Sequence, residues 1–251
     1  MKTILVASIG LLLAGLGLAA FAPAPQAELV GSWRMVKTTA PHEIKTFVVI
    51  FTQKHFVFAH YDLAGKRFIG TGGGTYARTG EGYTSTIEFN SWDSTQVGQQ
   101  VANRVTWKAG QLVVARTQNG QKIEETWERI DDGGAGRSPL AGIWRITGRQ
   151  NAEGQISTIQ RGPRKTIKVL SGTRFHWAAI NTQTKQFFGC GGGTYTATGG
   201  KYTEQIEFFS RDNSRVGAQL SFDYEVKPDG WHHSGLSSKG DKIYEIWSKD
   251  E

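Results

Sequence analysis

Beyond residue 28 the chain shows little helical periodicity. Polar and apolar residues instead alternate in short stretches, enriched in β-branched and aromatic side chains and parted about every ten residues by glycine-containing turns. Successive side chains of a strand point to opposite faces, so this alternation describes ribbons with one face buried. It predicts strands over residues 46–51, 55–59, 82–90, 101–107, 112–116 and 122–129, with turns at 63–66, 79–82, 108–111 and 118–121. The second half repeats the succession. Short antiparallel strands in series predict an up-and-down barrel or a sandwich, with about eight to ten strands in each half.

The two halves are copies of one another. Residues 56–98 align with 175–217 at a constant offset of 119, without a gap and with roughly half of the positions identical. Phe68-Ile69-Gly70-Thr71-Gly72-Gly73-Gly74-Thr75-Tyr76 returns as Phe187-Phe188-Gly189-Cys190-Gly191-Gly192-Gly193-Thr194-Tyr195. Tyr83-Thr84, Ile87-Glu88-Phe89, Asp93 and Val97-Gly98 return as Tyr202-Thr203, Ile206-Glu207-Phe208, Asp212 and Val216-Gly217. A unit of about a hundred residues is far longer than a solenoid repeat and can bury its own core. The expected domains are 28–130 and 139–251. A glycine-rich, polar segment, 131–138, joins them as a linker. The triple glycines do not suit phosphate binding, which needs a following helix with exposed N–H groups; inside a strand they mark a bend or a close approach.

Each copy opens with Leu-x-Gly-x-Trp-Arg, as Leu29-Val30-Gly31-Ser32-Trp33-Arg34 and Leu140-Ala141-Gly142-Ile143-Trp144-Arg145. Each ends with Trp-x-basic, as Trp127-Glu128-Arg129 and Trp247-Ser248-Lys249. These motifs resemble the lipocalin-like (calycin) superfamily. There the tryptophan of the first strand fills the closed barrel end beneath a cation from the last strand. The glycine run, the Tyr-Thr-x-x-Ile-Glu segment and the Asp-x-x-x-Val-Gly turn are similar to those of secreted Bacteroidetes proteins carrying an uncharacterised lipocalin-like domain. The resemblance implies an all-β protein of two tandem lipocalin-like antiparallel up-and-down β-barrels. It implies export, but names no ligand; the second and third lipocalin motifs are not evident.

Composition changes this picture in three places. Met1-Lys2-Thr3 followed by an apolar run over residues 4–22 has the form of a secretory signal peptide, 1–27, cleaved within residues 21–27; an uncleaved anchor is the other reading. A secreted or periplasmic location follows. The single cysteine, Cys190, excludes an internal disulfide and reads as a buried thiol. The net charge of +7 is uneven, with +1 over residues 28–136 and +5 over 137–251, Lys2 supplying the rest. The excess gathers at Arg161, Arg164, Lys165 and Lys168, which reads either as a solvated loop face or as a surface for anionic membrane or glycan. An export signal argues against nucleic acid.

Candidate chemistry divides between the faces of the strands. Tyr83, Ile87 and Phe89 share one face in the first copy, as do Tyr202, Ile206 and Phe208 in the second. With Phe56, Phe58 and Tyr76, and with Phe175, Trp177 and Tyr195, they would line a chamber for a small hydrophobic or aromatic ligand, or else fill a solid core. The carboxylates common to both copies, Glu88/Glu207 and Asp93/Asp212, could serve as an acid/base pair. No histidine, nucleophile or metal cluster is retained beside them, which favours salt bridges, with Arg34/Arg145 as partners, or turn caps. Neighbouring His232 and His233 point to opposite faces and make a poor metal site. No cofactor is implied, and the oligomeric state is not fixed. Non-enzymatic ligand binding is the leading expectation; an adhesive envelope module and a hydrolase or isomerase using the carboxylates stay open.

Overall fold

The computed structural model describes residues 29–250 apart from 42–44, 119, 135–137, 152 and 238–239. The expected signal peptide and the middle of the expected linker lie outside the described residues. The first half forms β1 (Gly31–Thr38), β2 (Thr46–Phe51), β3 (His55–Asp62), β4 (Arg67–Thr79), β5 (Gly82–Asn90), β6 (Gln100–Lys108), β7 (Gln111–Gln118) and β8 (Gln121–Asp131). Each strand is antiparallel to the next, and β8 closes on β1. The second half forms β9 (Gly142–Gln150), β10 (Ile156–Thr158), β11 (Arg164–Leu170), β12 (Arg174–Asn181), β13 (Gln186–Thr198), β14 (Lys201–Phe209), β15 (Gln219–Lys227), β16 (Gly230–Leu236) and β17 (Lys242–Lys249). Here β17 closes on β9, and β10 is an extra strand hairpinned onto β9. The fold is all-β, two closed eight-stranded antiparallel barrels in tandem, and the sandwich alternative falls.

One end of each barrel is sealed as the motifs require. Trp33 and Trp144 are buried, and each indole N–H donates at 2.8 Å to the carbonyl of the leucine four residues earlier, Leu29 or Leu140. The Arg129 guanidinium lies 4.0 Å from the centre of the Trp33 ring, and the Lys249 ammonium 5.5 Å from that of Trp144. Tyr76 and Tyr195 complete the seal, their hydroxyls donating at 2.6 Å to the carbonyls of Thr52 and Ser171.

The glycine run is where rings and backbone come close. A Cβ on Gly72 would meet the Phe58 ring at 2.5 Å, and one on Gly74 would meet the Thr86 carbonyl at 2.0 Å. Register slips here: Gly73 pairs with Phe89 but Gly74 with Ile87, so Glu88 is the extra residue of a β-bulge. The same slip, between Gly192 and Gly193, makes Glu207 the extra residue in the second barrel. The bulge breaks the alternation. Tyr83 and Ile87 stay inside barrel 1 while Phe89 turns outward, and Phe208 does the same in barrel 2.

Those outward rings build the contact between the barrels. Val48, Ile50, Val57, Ala59, Tyr61 and Phe89 pack in one buried cluster with Ile167, Val169, Ala178, Ile180, Cys190 and Phe208. The contact has pseudo-two-fold form. Phe68 stacks on Phe208 with centroids 6.3 Å apart, and its counterpart Phe187 stacks on Phe89 at 6.4 Å. Polar groups then break the symmetry. Glu207 accepts from Arg174 of its own barrel and from the Tyr61 hydroxyl of the other, whereas Glu88 is held by Lys165 at 3.0 Å from across the seam. Asp131, the first residue of the expected linker, ends β8 and binds both barrels. Its carboxylate accepts from Ser32 at 2.8 Å and from Ser171 and Thr173 at 2.8 and 2.7 Å. Burial pushes that carboxyl up, but these hydrogen bonds outweigh it and hold it below the usual range.

Candidate functional site

Several expected site residues take other places. Phe89 and Phe208 leave the chamber for the inter-barrel seam, for the reason given by the bulge. Phe56, Phe58, Tyr76, Tyr83 and Ile87 do gather inside barrel 1, and Phe175, Trp177, Tyr195, Tyr202 and Ile206 inside barrel 2. They are packed upon one another: the Tyr76 and Tyr83 rings meet edge to face at 5.6 Å, and Phe175 meets Tyr202 at 6.4 Å. The carboxylates Glu88 and Glu207 sit in ion pairs of the seam, not with Arg34 or Arg145. Arg34 contacts Glu128 at 3.4 Å, and Arg145 donates to the Gly162 carbonyl at 2.6 Å. Asp93 and Asp212 cap one-turn 3-10 helices by accepting from the backbone of Thr95 and Ser214.

The four cations of the expected basic patch do not share one face, and only Arg161 and Arg164 are exposed. Lys168 points into barrel 2, Lys165 is tied to Glu88, Arg161 pairs with Asp250, and the Arg164 guanidinium lies 3.5 Å from the centre of the Phe188 ring. Alternation along a strand places Lys165 and Lys168 on opposite faces, so their closeness in sequence does not make them neighbours in space. Cys190 is fully buried in the seam, and burial pushes its thiol up, out of reach of thiolate chemistry.

What sets barrel 2 apart is its interior. Lys168 is 4 % exposed and donates at 2.8 Å to Glu204, which is equally buried and accepts at 2.8 Å from the Tyr202 hydroxyl. The ammonium stands 5.0, 5.1 and 5.2 Å from the ring centres of Tyr202, Trp231 and Trp247, a cage of π-faces around a desolvated cation. Beside it Glu245 accepts from the Trp247 indole at 3.1 Å and from Arg149 at 2.6 Å. Burial pushes the Glu245 carboxyl up, but the Arg149 and Lys168 cations beside it outweigh that and hold it below the usual carboxylate range. His233 is 3 % exposed, its ring 4.2 Å from that of Phe222. Neither of its nitrogens is hydrogen-bonded, and the Glu245 oxygen is 3.6 Å away, beyond bonding geometry. Burial lowers its pKa and keeps it neutral.

Barrel 1 holds a different set on the same frame. At the offset of 119, Lys168, Glu204 and His233 correspond to Val49, Ser85 and Val114, all buried in barrel 1. Glu245 has a counterpart in Glu125, held at 2.6 Å by Arg116, whose own counterpart is Gly235. Sequence reasoning missed this retained glutamate because the offset lengthens to 120 before the last strand, so a gap-free alignment leaves it unmatched. The closing Trp127/Trp247 pair is the signal that could have restored the register.

At the ends opposite the tryptophan seals the two barrels also diverge. Trp92 lies against Gly70 and stacks on Phe58 at 5.7 Å, with its indole N–H on the Ile69 carbonyl at 3.0 Å. Its counterpart Arg211 donates to the Phe188 carbonyl at 2.9 Å and lies 5.7 Å from the Trp177 ring. One backbone acceptor is served by an aromatic in one barrel and a cation in the other.

Residues 139–250, which span the second barrel, match the family model described as a domain of unknown function, DUF4488. No curated protein matches the chain. Among solved structures it is similar to a lipocalin-like protein from Bacteroides uniformis, with 13 % identity and a TM-score of 0.33 over 45 % of this chain and 100 % of the other.

Proposed function

We propose that this is a non-enzymatic binding protein whose second barrel carries a small ligand, with an apolar or aromatic body and a polar group that meets His233. The single observation behind this reading is the imidazole buried without a hydrogen bond in barrel 2, where barrel 1 has Val114. Leaving a buried polar group unpaired costs about 1–3 kcal/mol, and at this position the twin barrel has an apolar valine that carries no such cost. The neighbouring Lys168 and Glu204, which are Val49 and Ser85 in barrel 1, are likewise dispensable to the fold, since buried charge is seldom a net source of stability. Such groups fit a ligand site better than a filler core. The half-exposed Arg149 guanidinium closes over Glu245 at the end opposite Trp144, and a ligand would enter there once it swings aside.

The test is native mass spectrometry of the mature protein, followed by solvent extraction, on wild type and His233→Val. A bound small molecule in wild type that is absent from a folded His233→Val supports the reading. A wild-type protein that carries nothing and gives no thermal shift with any member of a panel of small aromatic acids, amides and alcohols overturns it.

A further inference from the structure

A depression of about 630 Å³ in the described surface lies away from the interior constellation. It is bounded by Gln150, Asn151, Ser234, Leu236, Lys242 and Tyr244. Since Trp231, His233, Glu245 and Trp247 face inward, alternation turns Ser234, Leu236, Lys242 and Tyr244 to the outer face of β16 and β17. The wall opposite is the turn of the β9–β10 hairpin. Among the described residues that hairpin belongs to barrel 2 alone: the offset between the copies rises from 111 at Trp33/Trp144 to 119 at Phe56/Phe175, an insertion of eight residues.

Behind the depression Tyr244 is wired to two further groups. Its hydroxyl is 2.6 Å from His232 Nδ1, and His232 Nε2 is 2.9 Å from Asp229. His232 is 9 % exposed. Asp229, held below the usual carboxylate range first by its hydrogen bond from His232, is ionised and can only accept. His232 Nε2 therefore carries a proton, and Nδ1 bonds the Tyr244 hydroxyl. The Tyr244 oxygen has lone-pair capacity left for the depression. Gln150 donates its amide to the Gly154 carbonyl at 2.8 Å, which leaves its carbonyl as an acceptor; Asn151 accepts from the Gln155 backbone at 2.8 Å, which leaves its NH₂ as a donor. Ser234 and the Lys242 ammonium add a hydroxyl and a donor, while Leu236, 55 % exposed, gives an apolar surface between them. Barrel 1 has Gly110, Val113, Ala115 and Glu124 where barrel 2 has Asp229, His232, Ser234 and Tyr244, so the fold does not require the arrangement.

We infer that this outer depression is a sugar-binding site, taking a hydroxylated ring whose C–H face rests on Leu236 and whose hydroxyls meet Tyr244, Gln150, Asn151 and Ser234. Alternating acceptors and donors around one apolar side chain match a ring that carries hydroxyls at its edge. A lining with one cation and no carboxylate favours neutral and acidic sugars over amino sugars. The volume falls within the range of about 300–1,000 Å³ found for small-molecule sites.

The experiment uses the whole mature protein, titrated with glucose, glucuronic acid and glucosamine by NMR and printed on a glycan array. Tyr244→Phe, Gln150→Ala and His233→Val are compared with wild type. Glucose and glucuronic acid should bind more tightly than glucosamine, and Tyr244→Phe and Gln150→Ala should each weaken binding about tenfold, while His233→Val leaves it unchanged. Binding on the array without binding of free sugar places the ligand at glycan termini and supports the site equally. No binding in either format, or binding that survives Tyr244→Phe and Gln150→Ala together, overturns the inference. Loss of sugar in His233→Val overturns it as well, by moving the ligand to the barrel interior.

Discussion

Barrel 1 and barrel 2 share their strand register, the bulges at Glu88 and Glu207, the tryptophan seal and the aspartate-capped turns, yet they fill their interiors with different side chains. Barrel 1 sets Val49, Ser85 and Val114 where barrel 2 sets Lys168, Glu204 and His233. The difference separates what the architecture demands from what it tolerates. Closing eight strands demands the glycine run, the indole and the bulge; it does not demand a caged ammonium or an unpaired imidazole. Charges that a fold can do without come at a cost, and this is the ground on which we propose barrel 2 as the binding half.

The comparison breaks hardest where a charge is stranded. Glu204→Ala leaves the Lys168 ammonium buried without its carboxylate and should destabilise the protein by about 3–5 kcal/mol, measured as a fall in the urea midpoint. A loss below about 1 kcal/mol would show that Lys168 reaches water and that the interior is not dry. Exchanging the whole set for that of barrel 1, Lys168→Val with Glu204→Ser and His233→Val, should do the reverse. Stability should stay level or rise by about 1–4 kcal/mol while ligand binding is lost, since well-packed apolar side chains often outperform a buried ion pair.

A third difference sharpens the comparison through pH. His176 lies in the seam 3.2 Å from Thr71, and burial pushes its pKa from 6.5 down to about 3; barrel 1 has Val57 at that position. Between pH 6.5 and 3 the unfolded chain binds a proton there that the folded protein refuses. Stability therefore falls as pH drops through this window, by up to about 1.4 kcal/mol per unit and about 2 kcal/mol by pH 5. His176→Val should remove that part of the slope between pH 7 and 5. Because the Thr71 hydroxyl keeps its bond to the Phe58 carbonyl at 2.6 Å, the variant leaves no orphaned group. An unchanged slope would place the acid sensitivity elsewhere, His55 and His233 being the next histidines whose pKa burial lowers.

Much of this architecture was readable along the chain because its causes are local. Alternation marks strands, glycine marks the places where a ring lies on the backbone, and Gly-x-Trp with a closing Trp-x-basic marks the sealed end. The site was less legible. Phe89 alternates correctly with Ile87 and Tyr83, and nothing in the local pattern reveals that an extra residue at Glu88 turns it outward. Lys165 and Lys168 read as one basic patch, although one crosses the seam to Glu88 and the other enters a barrel to meet Glu204. Glu125 and Glu245 stayed unmatched because one added residue hid their correspondence.

Strand order, duplication and the indole seal thus belong to the primary structure, because each rests on neighbours in the chain or on a periodicity of two. Which face each ring takes, which carboxylate meets which cation and how the two barrels join are settled only on folding. Those contacts link residues dozens of positions apart, and in the case of Tyr61 and Glu207 they link separate barrels. A one-residue bulge or a single substitution at the seam redirects them without disturbing the pattern that specifies the barrels.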